Sequence, residues 1–226
     1  MKKILFLGLL LTLILTTVAS AELLITANPI GQGRWGVLGS YRNDANVSNS
    51  SSMSMGSLGA YLAYGINDKM DLYASYGSGT VSGLPLGVTG ISGSSYGLTL
   101  KYAAIAESST MPVSVALGAG YKMVSQKVDT VLGSSTDNGG QMLIGVGVSK
   151  IMVPFIPYAG LLYRNTNFTT TAAASNSSQI DLTLGSAIAW SMQGAVYVEY
   201  TLQSITPSGG SAYSSGQYAL GVGYKI

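Results

Sequence analysis

Through most of the chain, large apolar side chains recur at every second position, alternating with Gly, Ser, Ala or polar residues. Val113, Val115, Leu117, Ala119, Tyr121 and Met123 alternate with Ser114, Ala116, Gly118, Gly120 and Lys122. Ile180, Leu182 and Leu184 alternate with Gln179, Asp181, Thr183 and Gly185, and Val196, Val198, Tyr200 and Leu202 with Tyr197, Glu199, Thr201 and Gln203. The last residues repeat the motif, with Tyr218, Leu220, Val222, Tyr224 and Ile226 set between Gln217, Ala219, Gly221, Gly223 and Lys225. A period of two marks a strand with one apolar and one polar face. Ten segments carry it, near 33–42, 55–66, 69–77, 94–106, 111–125, 140–151, 154–165, 178–190, 193–204 and 215–226. An eight-strand reading has to demote two alternating segments and ranks second.

The connections alternate in character. Short ones follow the second, fourth, sixth and eighth strands, at Asn67-Asp68, around Glu107 to Thr110, around Val153-Pro154 and around Ser191-Met192. Long ones, rich in Ser, Gly, Asn and Thr, are expected at 43–54, 78–93, 126–139, 166–177 and 205–214. With ten strands both chain ends fall on the short-turn side. Aromatic residues gather near strand ends: Trp35, Tyr64, Tyr102, Trp190 and Tyr224 at the short-turn end, and Tyr41, Tyr76, Tyr96, Tyr121, Tyr163 and Tyr218 at the loop end. Outward aromatic residues at both interfaces are expected of a membrane-crossing sheet. Tyr158 departs from this pattern. The parity that points Arg164 inward turns Tyr158 inward too, so a bulge near Pro157 or a shifted register is expected in the seventh strand.

Composition narrows the fold class. Charged residues make up 9% of the chain, against about 25% in soluble domains. The longest apolar stretch past the N-terminus, Ile151 to Leu162, is 12 residues long and holds Pro154 and Pro157, too short for a spanning helix of about 20 residues. The other structure that can cross a bilayer is a closed barrel, in which every backbone group is paired. The expected fold is therefore all-β, a closed antiparallel transmembrane β-barrel of about ten strands. A soluble β-sandwich would need far more surface charge.

The N-terminus fits export. Lys2 and Lys3 precede an apolar run from Ile4 to Val18, followed by Ala19-Ser20-Ala21, the layout of a signal peptide cleaved after Ala21. Residues 1–21 are then the signal and 22–226 the barrel. No Cys follows the run, which excludes a lipid anchor there. Without Lys2 and Lys3 the 11 basic residues fall to 9, equal to the 9 acidic ones, so nothing in the charge suggests nucleic-acid binding. The absence of Cys excludes disulfides.

The closing residues Gly221-Val222-Gly223-Tyr224-Lys225-Ile226 resemble the C-terminal signal of bacterial outer-membrane β-barrels, in which Gly and an aromatic precede a terminal hydrophobe. Ile226 stands where Phe or Trp is commoner. With the signal peptide and the alternating segments, the chain is similar to that superfamily over its whole mature length. The resemblance implies short periplasmic turns, long external loops, outer-membrane lipid as surroundings and recognition of the last strand by the barrel-assembly machinery.

The chemistry of enzymes is poorly represented. No His is present, which removes the usual general base and the commonest metal ligand, and thiolate chemistry is absent with Cys. No catalytic residue, metal or cofactor is expected, and Asp181 and Glu199 read as lumen charges. Gly118-Ala119-Gly120, Gly145-Val146-Gly147 and Gly221-Val222-Gly223 lie within strands and lack the helix and Lys of a phosphate loop. They suit a narrow barrel interior. Met53 and Met55 read as loop packing, and Ser48 to Ser52 as solvated surface.

By parity the inward charges are Arg34, Asp71, Lys101, Lys122, Arg164, Asp181 and Glu199. Arg164 and Asp181 flank one loop and are expected to pair. Lys101 and Glu199, five strands apart, are expected to face each other across a lumen of roughly 20 Å backbone diameter. That arrangement suggests a small passive, porin-like channel for ions or small polar solutes, narrowed by charge. The alternative is a plugged barrel that binds, adheres or supports the envelope through its external loops. Oligomeric state is not legible.

Overall fold

A computed structural model of the protein describes residues 26–45, 53–169, 174–208 and 210–226. Residues 1–21, expected to form the signal peptide, and Ser48 to Ser52 lie outside the described residues. Ten strands follow in order: β1 (Trp35–Ala45), β2 (Ser54–Asn67), β3 (Met70–Ser82), β4 (Val88–Ile105), β5 (Ser114–Thr130), β6 (Gly133–Ser149), β7 (Phe155–Thr169), β8 (Ala174–Ala189), β9 (Gly194–Pro207) and β10 (Tyr213–Lys225). Each pairs antiparallel with its sequence neighbours, and β1 pairs with β10 to close the barrel. The seam runs from Gly36↔Lys225 to Ala45↔Gly216. Beyond it, the Ile226 amide donates to the Trp35 carbonyl at 2.8 Å. Closure leaves no unpaired edge, the condition for a sheet in lipid.

Alternation decides which way each side chain points. In the half of the barrel nearer the chain termini, outward residues are large and apolar. Leu62, Leu98, Leu100, Leu117, Ile144, Leu161, Leu182, Val198 and Leu220 are all exposed. The eleven aromatic residues expected at strand ends are exposed as well, from Tyr64 at 36% to Tyr218 at 63%. Trp35 and Tyr64 pack across β1 and β2 in a tilted contact, with ring centroids 4.8 Å apart. So large an apolar belt is stable against lipid and unstable against water.

A charge in that belt has a calculable penalty. Leu117 is the fourth residue of β5, opposite Tyr102 and Val146, and is 49% exposed, whereas its neighbour Ala116 is 1% exposed. Leu117→Arg should therefore destabilise the folded barrel in lipid vesicles, by less than the about 2–4 kcal/mol of a midplane site because Leu117 lies beside the aromatic girdle, measured by urea unfolding. Ala116→Ser should change it far less. Equal effects would mean that the strand faces are exchanged.

Toward the loop end the polarity inverts. A bilayer crossing takes about 9–11 strand residues, yet β4 has 18 and β5 and β6 have 17 each. Beyond Tyr76, Tyr96 and Met123 the outward positions become Ser78, Thr80, Ser92, Ser94, Ser125 and Lys127. Inward, Met53, Met55, Val81, Val88, Ile91, Val124, Val128 and Phe168 form one buried cluster, with Leu84 against it. This crown is built like a water-soluble β structure, apolar inside and polar outside.

Three expectations are corrected by this geometry. The segments expected as long loops at 78–93 and 126–139 are mostly strand: β3 runs to Ser82, β4 starts at Val88, and β5 and β6 meet in a tight turn at Val131-Leu132. Gly133 closes that turn at φ +142°, a conformation that disfavours any side chain. The remaining connections at 43–54, 166–177 and 205–214 also lose residues to strands. Met53 and Met55 belong to the crown core instead of loop packing. Tyr158 needs neither bulge nor shift. The β6–β7 register is unbroken from Asn138↔Thr169 to Ser149↔Tyr158, and Tyr158 is simply an interior residue, 4% exposed.

Candidate functional site

The lumen is filled at three levels. At the loop end sits the apolar cluster of the crown. In the middle lies a polar network. At the end holding the termini, the segment 26–33 folds into the barrel mouth, ahead of β1.

The buried charges of the interior are balanced. Four inward cations (Arg42, Lys101, Lys122 and Arg164) accompany four inward carboxylates (Asp44, Asp71, Asp181 and Glu199), and each of the eight is 3% exposed or less. Arg164 and Asp181 form the expected ion pair, 2.5 Å apart on β7 and β8. The Gln179 amide donates to the other Asp181 oxygen at 2.6 Å. The Tyr158 hydroxyl donates to Glu199 at 3.1 Å, and Glu199 also feels the charges of Arg42 and Arg164. Arg42 in turn donates to the Tyr61 hydroxyl at 2.8 Å. Gln141 bonds Thr166 at 2.9 Å, and Thr183 bonds Thr201 at 2.8 Å. Buried charges persist only when paired and hydrogen-bonded: Arg164 pairs with Asp181 and Lys101 with Asp71, while Arg42 and Glu199 are hydrogen-bonded to tyrosines.

Interior glycines make room for it. A Cβ at Gly185 would collide with the Tyr158 ring, and one at Gly221 with the Tyr197 ring. Each tyrosine therefore lies flat over a neighbouring strand that carries no side chain there.

At the terminal end Lys101 is the anchor. It pairs with Asp71 at 3.1 Å and donates to the carbonyls of Thr26 and Asn28 at 3.3 and 2.9 Å and to the Tyr73 hydroxyl at 2.8 Å. The Ile30 amide donates to both Asp71 oxygens at 3.1 Å. Ser149 accepts from the Ala27 amide at 2.9 Å, and Ser114 donates to the Asn28 side chain at 2.8 Å. The segment is thus tied to β3, β4, β5 and β6.

Six of the seven charges read as inward are buried inside, but they do not all meet as expected. The Lys101–Glu199 constriction does not form, because Lys101 is taken by Asp71 on the adjacent strand and Glu199 by Tyr158. Arg34 lies ahead of β1 and is exposed, since the strand parity that would turn it inward starts only at Trp35. Arg42, Asp44 and the N-terminal segment are functional parts that the sequence reading did not name. Arg42 and Asp44 follow from the parity that points Tyr41 outward, while the segment has no periodic signal.

On the crown's outer face Lys127 pairs with Asp129 at 3.0 Å. The Ser134 hydroxyl, and after it Lys127, hold the Asp129 carboxyl below the usual carboxylate range. The hairpin tips project apolar side chains into water: Leu86 is 106%, Val131 72% and Leu132 96% exposed. Among the described residues no group of three His, Cys, Asp or Glu side chains could hold a metal ion.

No family model matches the chain, and no curated protein matches it. Solved structures do. The translocator domain of the autotransporter NalP from Neisseria meningitidis is 11% identical, with a TM-score of 0.51 over 98% of this chain and 95% of its own. The outer membrane protease OmpT from Escherichia coli is 11% identical, with a TM-score of 0.47 over 92% of this chain and 100% of its own. Neisserial surface protein A is 17% identical, with a TM-score of 0.43 over 85% of this chain and 96% of its own.

Proposed function

From a chain that folds as a bacterial outer-membrane β-barrel, we propose a closed envelope protein that makes surface contacts through its crown, with no open diffusion pore. The observation that carries this reading is the interior. Eight charges of opposite sign neutralise one another with almost no exposure, so no charged, water-filled path is left to select an ion. The apolar crown cluster above and the anchored segment below add two further closures. The exposed tips Leu86, Val131 and Leu132, raised above the membrane on extended hairpins, are the kind of apolar surface that marks an interaction site. The same reading has the protein exported by cleavage after Ala21 and inserted by the assembly machinery through the strand ending at Tyr224-Lys225-Ile226. Catalysis is not part of this reading, which concerns a chain without His or Cys.

Planar-bilayer recording of the refolded mature chain tests it. The expected result is an absence of regular conductance steps. Long-lived steps of uniform size would favour the small passive channel, with ions or small polar solutes passing the lumen. The crown is tested in parallel by Leu86→Ser with Leu132→Ser, which should leave folding unchanged and abolish adhesion of expressing cells. Unchanged adhesion would leave a purely structural role.

A further inference from the structure

We propose that the terminal, periplasm-facing half of the lumen is a binding chamber for a small amphipathic monoanion, an aliphatic or aromatic carboxylate. Its apolar body would enter the barrel and its carboxylate would stay at the mouth. A cavity of about 250 Å³ lies between the N-terminal segment and the opposite wall of the barrel. Leu38, Ala63, Ile156, Ala187 and Ala195 face it from the strands, and Ile30 from the segment. Ala187 and Tyr197 form a buried cluster against which Leu38, Ile156 and Ala195 pack. Between this chamber and the apolar crown cluster the interior is lined mostly by charges, amides and hydroxyls, so the apolar lining at this end stands apart. Thr26, Asn28, Tyr61, Tyr73, Lys101 and Tyr197 bring polar atoms to part of the wall, but most of the lining is apolar, and an apolar occupant gains burial free energy against it.

Size and charge narrow the ligand. An apolar cavity of about 150 Å³ takes benzene, and on that scale this chamber takes about ten non-hydrogen atoms. Lys225 lines the mouth, beside the exposed turn of Ser191, Met192 and Gln193. The left-handed turn at Gly31, φ +101°, brings a second cation to the same place. A Cβ there would lie 3.8 Å from Arg34 Cδ and 3.9 Å from Lys225 Nζ. The carboxylate of Asp71 is already engaged by Lys101 and the Ile30 amide. The rim therefore presents positive charge above an apolar chamber, and the complementary molecule is anionic at one end only.

The test uses the refolded mature barrel in lipid nanodiscs, with 4-(trifluoromethyl)benzoate as probe and fluorine NMR as readout. Saturable binding above that of empty nanodiscs is expected. Ala187→Leu, and independently Ala63→Leu, fill the chamber and should abolish it while the heat-modifiable gel migration of the folded barrel persists. Lys225→Gln should weaken the carboxylate about tenfold, the loss of one charge-assisted contact, and leave 4-(trifluoromethyl)benzyl alcohol unaffected. No saturable binding to the wild type would overturn the proposal. So would binding that survives both filling variants, or a Lys225→Gln loss equal for acid and alcohol.

Discussion

Asp181→Ala should destabilise the barrel by about 3–5 kcal/mol, because it takes from the buried Arg164 the carboxylate with which it forms an ion pair. Both side chains of this pair are 0% exposed, so solvent can compensate little. The pair need not add stability of its own, since replacing two buried charges by apolar groups of similar volume is often neutral. Arg164→Met combined with Asp181→Leu should accordingly recover most of the loss. Urea unfolding in vesicles, followed by the fluorescence of Trp35 and Trp190, reads both variants. A loss under about 1 kcal/mol for Asp181→Ala would show a hydrated lumen, and the closed-interior reading would fall with it.

Phe168→Ala should be of similar size but different in place. Phe168 is 2% exposed within the crown cluster, and truncating a buried Phe costs about 3–5 kcal/mol. The cluster stands beyond the aromatic belt, so the loss should appear as local opening of the crown while the belt stays folded. Hydrogen exchange should accelerate at the loop ends of β4 and β5, and protease should cut near Val131-Leu132, with the gel migration of the folded barrel retained. Simultaneous loss of the folded band would mean that crown and membrane barrel unfold as one unit.

The strand count, the antiparallel order and the inward parity of Asp71, Lys101, Lys122, Arg164, Asp181 and Glu199 were legible in the sequence. A period of two assigns faces locally, and a closed sheet with both faces specified cannot slip by one residue without turning every side chain over. The Arg164–Asp181 pair was legible for a related reason, since strands joined by one connection must lie side by side. Three features were not. The crown read as loop because its outward Ser, Thr and Gly resemble loop composition. The alternation in fact continues through Ile91, Val124 and Val128 with the apolar face turned inward. Which face is apolar depends on whether lipid or water lies outside, and that is set by the height of each residue in the finished barrel. The anchored N-terminal segment lacks any period, because it is held by side chains from four strands and not by a ladder of its own. The partner of Lys101 could not be read either. Distance along a strand from a turn does not give position across a sheared barrel, and the register of β3 against β4 puts Asp71 directly opposite Lys101. Alternation within the chain decided what is buried, and the closure of the sheet decided what it is buried against.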